Sequence, residues 1–112
     1  MRTFILLVLM AALQIPVNAQ NTGKKTETVV IHTSAVCEMC KHTIETALYK
    51  VKGVISANLD LATKDVTVTY KTALTGKDAI KKAIAAAGYD ADDVKADAKA
   101  YDGLHTCCKK QD

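Results

Sequence analysis

The chain has 112 residues, room for one domain, and its net charge of +3, from 15 basic and 12 acidic side chains, is close to balance. Phe4 and four tyrosines are its only aromatics, so neither a basic stripe nor an aromatic stacking platform marks a nucleic-acid partner. No Ser/His/Asp set, paired-carboxylate constellation or nucleotide-binding glycine loop stands out, which argues against hydrolase and nucleotide-binding chemistry.

The N-terminus carries Arg2, an unbroken apolar run from Phe4 to Leu13, Pro16, and the modest residues Val17-Asn18-Ala19. That is the form of a secretory signal peptide over residues 1–19, too short to span a bilayer. An uncleaved anchor or a buried helix is the alternative. Cleavage after Ala19 would leave Gln20 to Asp112 as a soluble periplasmic or secreted chain with a net charge of +2, because the lost segment holds Arg2 and no acid. Such a chain can bury a modest core without staples. Its only proline, Pro16, would be gone.

Residues 20–25 are polar and read as a flexible lead-in. Glu27 to Thr33 is rich in β-branched residues and predicts a strand. Ser34 to Met39 predicts a loop. From Cys40 the period changes: Ile44, Ala47, Leu48 and Val51 form a helical stripe, and Gly53 offers a left-handed stop. In Val54 to Leu61, alternation puts Ile55, Ala57, Leu59 and Leu61 on one face of a second strand. Thr63-Lys64 marks a turn, and Val66, Val68 and Tyr70 alternate in a third strand, its hairpin partner. A second helix starts at Thr75, with Asp78 completing a capping box, and Ile80, Ala83, Ile84 and Ala87 as its apolar stripe. Gly88 stops it. Tyr89 to Lys95 predicts a short last strand. Residues 97–112 form a polar, cysteine-containing C-terminal tail with one short helix near Ala98 to Tyr101.

The order strand, helix, strand, strand, helix, strand predicts an α+β, ferredoxin-like βαββαβ sandwich. Its four-stranded antiparallel sheet would carry both helices on one face. The domain proper would occupy residues 26–96.

Cys37-Glu38-Met39-Cys40 falls between the first strand and the first helix. Backbone N–H groups at a helix start stabilise thiolates. Two such thiolates can clamp one soft ion such as copper(I), mercury(II), silver(I), zinc(II) or cadmium(II), in that order of expectation. An ion held by two sulfurs is under-coordinated and can pass to a partner's thiolates, whereas a closed structural zinc site has four ligands. A Cys-x-x-Cys loop staples too little chain to serve mainly as a brace, and vicinal Cys107-Cys108 would be strained as a mutual disulfide.

With Cys37-x-x-Cys40 after a strand, the Ile44 to Leu48 helix, Gly53-Val54, the Val66/Val68/Tyr70 strand and Gly88-Tyr89, the sequence resembles the heavy-metal-associated domain family over about Thr26 to Lys95. That family includes copper chaperones, modules of metal-pumping ATPases and periplasmic mercury-binding proteins. The resemblance implies Cys37 and Cys40 as the metal ligands and Tyr89 as a residue beside the metal loop. It also implies a carrier without enzymatic turnover, with a membrane metal transporter or efflux protein as partner and a monomer or metal-bridged dimer as its state. The family usually has Gly-Met-x-Cys before the helix; here Ser34-Ala35-Val36-Cys37 stands instead. Ala35 fills less space than methionine, leaving the loop more mobile or packed by Met39.

The tail segment His105-Thr106-Cys107-Cys108 lies outside that pattern. From Asp97 to Cys107 the chain can span about 33 Å, enough to return to the Cys37/Cys40 loop. Cys107 and Cys108, with His105 as a weaker candidate, either add ligands or a second site, or form disulfides, or do neither. His32 reads as an edge residue and His42 as a polar-face one. Met39 is a thioether beside the ligands, better suited to packing or exposure than to ligation. Lys41, Lys50, Lys81 and Lys82 read as solvated helix faces.

Two other functions stay open. A thiol–disulfide redox protein also places Cys-x-x-Cys at a helix start, but thioredoxin-like enzymes face it with a cis-proline, and Gln20 to Asp112 has no proline and no tryptophan. A bridged structural module would lose stability, not metal tolerance, on loss of Cys37 and Cys40.

Overall fold

The computed structural model describes residues 25–109. The signal segment, most of the lead-in and residues 110–112 lie outside the described residues. No described helix is long and apolar enough to cross a membrane.

Three strands, β1 (Thr26–His32), β2 (Val54–Asp60) and β3 (Asp65–Lys71), form an antiparallel sheet in the order β1-β3-β2. Helix α1 (Glu38–Tyr49) joins β1 to β2, and α2 (Lys77–Ala86) follows β3. A short helix α3 (Ala98–Asp102) and a 3₁₀ turn (Thr106–Cys108) build the tail. Residues Ile31, Val66 and Leu59 lie across from one another, as do Val29, Val68 and Ala57. Period-2 alternation aims these side chains at one face. There they meet Ile44 and Leu48 of α1 and Ile80 and Ile84 of α2, all fully buried. Burying an aliphatic side chain contributes about 1.5–3 kcal/mol, so this layer is the main source of stability.

Cys40 extends the α1 stripe by one turn, with Cys40, Ile44 and Leu48 on the buried face. The helix starts at Glu38, earlier than the apolar stripe suggests, with Cys37 as an extended N-cap residue. Gly53 follows α1 with φ +105°, and a Cβ there would come within 2.7 Å of Leu74 Cβ, so both backbone angle and space call for glycine.

Four expectations need correction. Ile55 is 48% exposed, not part of the inner face. The pairing register slips between Val54 and Ser56, and this bulge turns Ile55 outward while half-buried Val54 packs on the core. The Thr75/Asp78 capping box does not form: Gly76 is the N-cap of α2 and makes no side-chain cap bond, so the helix begins beyond Thr75.

The fourth strand is reduced to isolated bridges, Thr33 with Ala91 and Ala91 with Val94. Asp92, with φ +51°, folds the chain back at once. Its N–H donates to the His32 carbonyl and its carboxylate accepts the His32 N–H, both at 2.8 Å. The side chain thereby takes a ladder position on the β1 edge that strand backbone would otherwise fill. Finally, Lys81 is not solvated: its side chain is 13% exposed and pairs with Asp93 at 2.9 Å and Asp92 at 3.7 Å. Lys41 likewise donates to the Leu59 carbonyl at 2.9 Å.

The tail is fixed to the domain. Asp97 N–H donates to the Ala85 carbonyl and Ala96 N–H to the Asp90 carboxylate, both at 2.9 Å. The Asp97 carboxylate caps α3 by accepting the Ala100 N–H at 3.0 Å. Leu104 packs against the core.

Candidate metal centre

The β1–α1 loop is shaped by Thr33 and Ser34. Thr33 Oγ1 donates to the Lys64 carbonyl at 2.8 Å and accepts the Ala35 N–H at 3.2 Å. Ser34 Oγ accepts the Asp90 N–H at 2.9 Å. Ala35 is wholly buried, so the loop is packed without the methionine of the family pattern. Met39 does not replace it: that side chain is 45% exposed, because the helix turns position 39 away from the buried stripe that begins at Cys40.

All four cysteines are free thiols and meet at this loop. The Cys37 sulfur lies 3.2 Å from that of Cys40, 3.2 Å from Cys107 and 3.3 Å from Cys108. Cys107 and Cys108 are 3.9 Å apart. The Cys107 sulfur is also 3.9 Å from Met39 Sδ. Sulfurs of Cys37, Cys40 and Cys108 all lie within 4.8 Å of one another. Their settings differ: Cys40 and Cys108 are buried, Cys37 is half-buried and Cys107 is exposed.

Burial pushes the Cys37 thiol up, but it is outweighed by hydrogen bonds from Cys107, Cys40, the Cys40 backbone N–H and Cys108, which together bring it down to about 6. Its sulfur makes no cap bond of full geometry, yet its place at the start of α1 favours the thiolate. The fold therefore presents one ready thiolate, Cys37, at the centre of the sulfur cluster. Burial, then a hydrogen bond with Cys40, pushes Cys108 up. The hydrogen bond between the Cys37 and Cys107 sulfurs, then burial, raises Cys107.

Tyr89 is fully buried, and its hydroxyl has no hydrogen-bond partner among the described residues. Burial raises its pKa, helped by the adjacent Cys108 and Cys40 thiols, which lie close to the hydroxyl without meeting bonding geometry. An orphaned buried hydroxyl beside a thiol cluster would find an acceptor once those sulfurs are anionic.

The histidines stand apart. His105 is exposed at the head of the 3₁₀ turn, where its carbonyl accepts the Cys108 N–H at 2.8 Å, and its ring is not in the group that includes Cys108. His32 is exposed and bonds Asp65 at 2.8 Å. His42 is exposed on α1. Sequence reasoning missed the backbone anchors of the tail. The signals for them were Asp97 three residues before Ala100, and Gly88, which it read only as a helix stop.

Residues 34–90 match the heavy-metal-associated domain. The chain is 39% identical over 54 residues to the copper chaperone CopZ of Staphylococcus haemolyticus, covering 48% of this chain and 79% of that one. It is 38% identical over 55 residues to a copper-exporting P-type ATPase of Staphylococcus saprophyticus, covering 49% of this chain and only 7% of the ATPase. Its structure is similar to that of oxidized MerP from Ralstonia metallidurans CH34, with TM-score 0.59 and 32% identity, covering 61% of this chain and 96% of that one.

Proposed function

The chain belongs to the heavy-metal-associated domain family, and from that premise we propose that it is an exported carrier of one copper(I) ion held by Cys37 and Cys40. The observation that carries this reading is the 3.2 Å Cys37–Cys40 sulfur pair at the start of α1, with the Cys37 thiol brought down to about 6. Soft thiolates select copper(I) over hard cations. Names of the relatives, a copper chaperone and a copper-exporting ATPase, support copper ahead of mercury(II), silver(I), zinc(II) and cadmium(II).

Transfer is ligand exchange. A partner thiolate adds to the ion as one of the protein's sulfurs leaves, so no electron moves and the ion is never bare. A membrane metal transporter with its own thiolate pair fits as partner. Export rests on the signal-like residues 1–19 and places the carrier in the periplasm or outside the cell.

The test is an anaerobic copper(I) titration against a chromophoric competitor, with the unaltered chain beside Cys37→Ser and Cys40→Ser. One ion per chain, lost in either variant, is the expected result. If the unaltered chain fails to take copper from the competitor and instead reduces insulin disulfides, the thiol–disulfide reading replaces this one.

A further inference from the structure

We propose that Cys108 is a third metal-ligating thiolate, so that the ion sits among Cys37, Cys40 and Cys108 with Cys107 as the exchange thiol at the rim. This rests on the reading of Cys37 and Cys40 as ligands and adds the tail to it.

Geometry carries the proposal. Three sulfurs around one ion at about 2.3 Å stand about 4.0 Å apart in a trigonal plane. The Cys108 sulfur is 3.3 Å from Cys37, and the three sulfurs lie within 4.8 Å of one another, so small side-chain shifts admit the ion. The 3₁₀ turn separates the roles of the vicinal cysteines. With three residues per turn, successive side chains point about 120° apart; Cys108 turns inward at 3% exposure while Cys107 faces solvent.

The tail is built to hold that position. Its anchors are the Asp97–Ala85 and Ala96–Asp90 hydrogen bonds, the capped α3, and half-buried Leu104 packed against the core. The orphaned Tyr89 hydroxyl is a second, independent sign. A buried hydroxyl without a partner keeps the full penalty of its lost hydration. Thiolates of Cys40 and Cys108 carrying a metal would give it an acceptor, and such outer donors stabilise a thiolate-bound ion.

Binding then needs only deprotonation: each thiol that still holds a proton gives it to solvent as its metal–sulfur bond forms. A third ligand makes retention stronger than a two-sulfur site allows. Release proceeds through Cys107, whose sulfur is 3.2 Å from Cys37 and 3.9 Å from Cys108. It can take the ion as an inner sulfur lets go and offer it to an incoming partner thiolate.

Copper X-ray absorption on the chain as its host produces it, loaded with one copper(I), counts the sulfurs. Three per ion are expected, falling to two in Cys108→Ser, with affinity against a competitor down about 10–100-fold or more. Cys107→Ser should keep three and release its ion to a competing thiol more slowly. Two sulfurs in both the unaltered chain and Cys108→Ser would overturn the proposal and leave the Cys37/Cys40 reading standing. So would three in Cys108→Ser with two in Cys107→Ser, which would make Cys107 the third ligand. Failure of the unaltered chain to bind copper would overturn both readings. Circular dichroism of each metal-free variant checks folding; if Cys108→Ser unfolds, the sulfur count of the unaltered chain still decides.

Discussion

Gly88 and Ala100 approach so closely that no side chain fits between them. A Cβ on Gly88 would lie 3.0 Å from both the carbonyl carbon and oxygen of Ala100, and Gly88 has φ +104°. This contact seats the tail helix on the end of α2, upstream of Cys107 and Cys108.

Gly88→Ala should therefore cost about 1–3 kcal/mol. For a domain of this size that is a fall in Tm of at least about 4 °C. The buried Cys108 thiol should also react faster with a disulfide reagent, since the tail loses its seat. A variant with unchanged Tm and thiol reactivity would show that the tail is held from elsewhere.

Gly76→Asp should act in the opposite direction. Gly76 caps α2 in an extended conformation without a side-chain bond, and a Cβ there meets nothing within 4 Å. An aspartate can accept a first-turn N–H and complement the helix dipole, raising stability by about 0.5 kcal/mol in a denaturant titration. A loss of stability would refute the cap assignment.

Tyr89→Phe should separate fold from function. Removing the unpartnered hydroxyl should stabilise the metal-free protein by about 1 kcal/mol. The same change should weaken copper(I) binding by about tenfold, because a donor to the metal-bound sulfurs is lost. Equal metal affinity in both proteins would leave the hydroxyl without a role at the site.

The pH dependence follows from Cys37. Its folded-state pKa is lowered from 9.0 to about 6, so folding favours the thiolate. That contribution is full above pH 9, declines as the pH falls through about 6, and is gone below it. The rate of iodoacetamide labelling at Cys37 in the metal-free chain, read by peptide mass spectrometry, should be half-maximal near pH 6. A midpoint near 9 would mean that neither the neighbouring thiols nor the helix start favours the anion.

Much of the fold was readable because it depends on neighbours in sequence. Alternation at Val66, Val68 and Tyr70 and the Ile44/Leu48 spacing encode faces directly, and those residues are buried as expected. Ile55 was misread because a bulge interrupts the alternation without a glycine to announce it. The shortened last strand was misread because Asp92 looks like an ordinary polar residue until its carboxylate is seen on the β1 backbone.

The sequence by itself determined that Cys37 and Cys40 stand together at a helix start, since three intervening steps leave them no room to part. It also determined that a soft-metal family pattern surrounds them. Where Cys107 and Cys108 go was decided only by tertiary structure. Their sulfurs reach Cys37 across 70 and 71 residues, and no local periodicity encodes such a closure. It depends on Gly88 leaving space for Ala100, on Asp97 capping α3 and on Leu104 packing against the core. Each is a modest interaction, and only together do they offset the entropy of bringing the tail home.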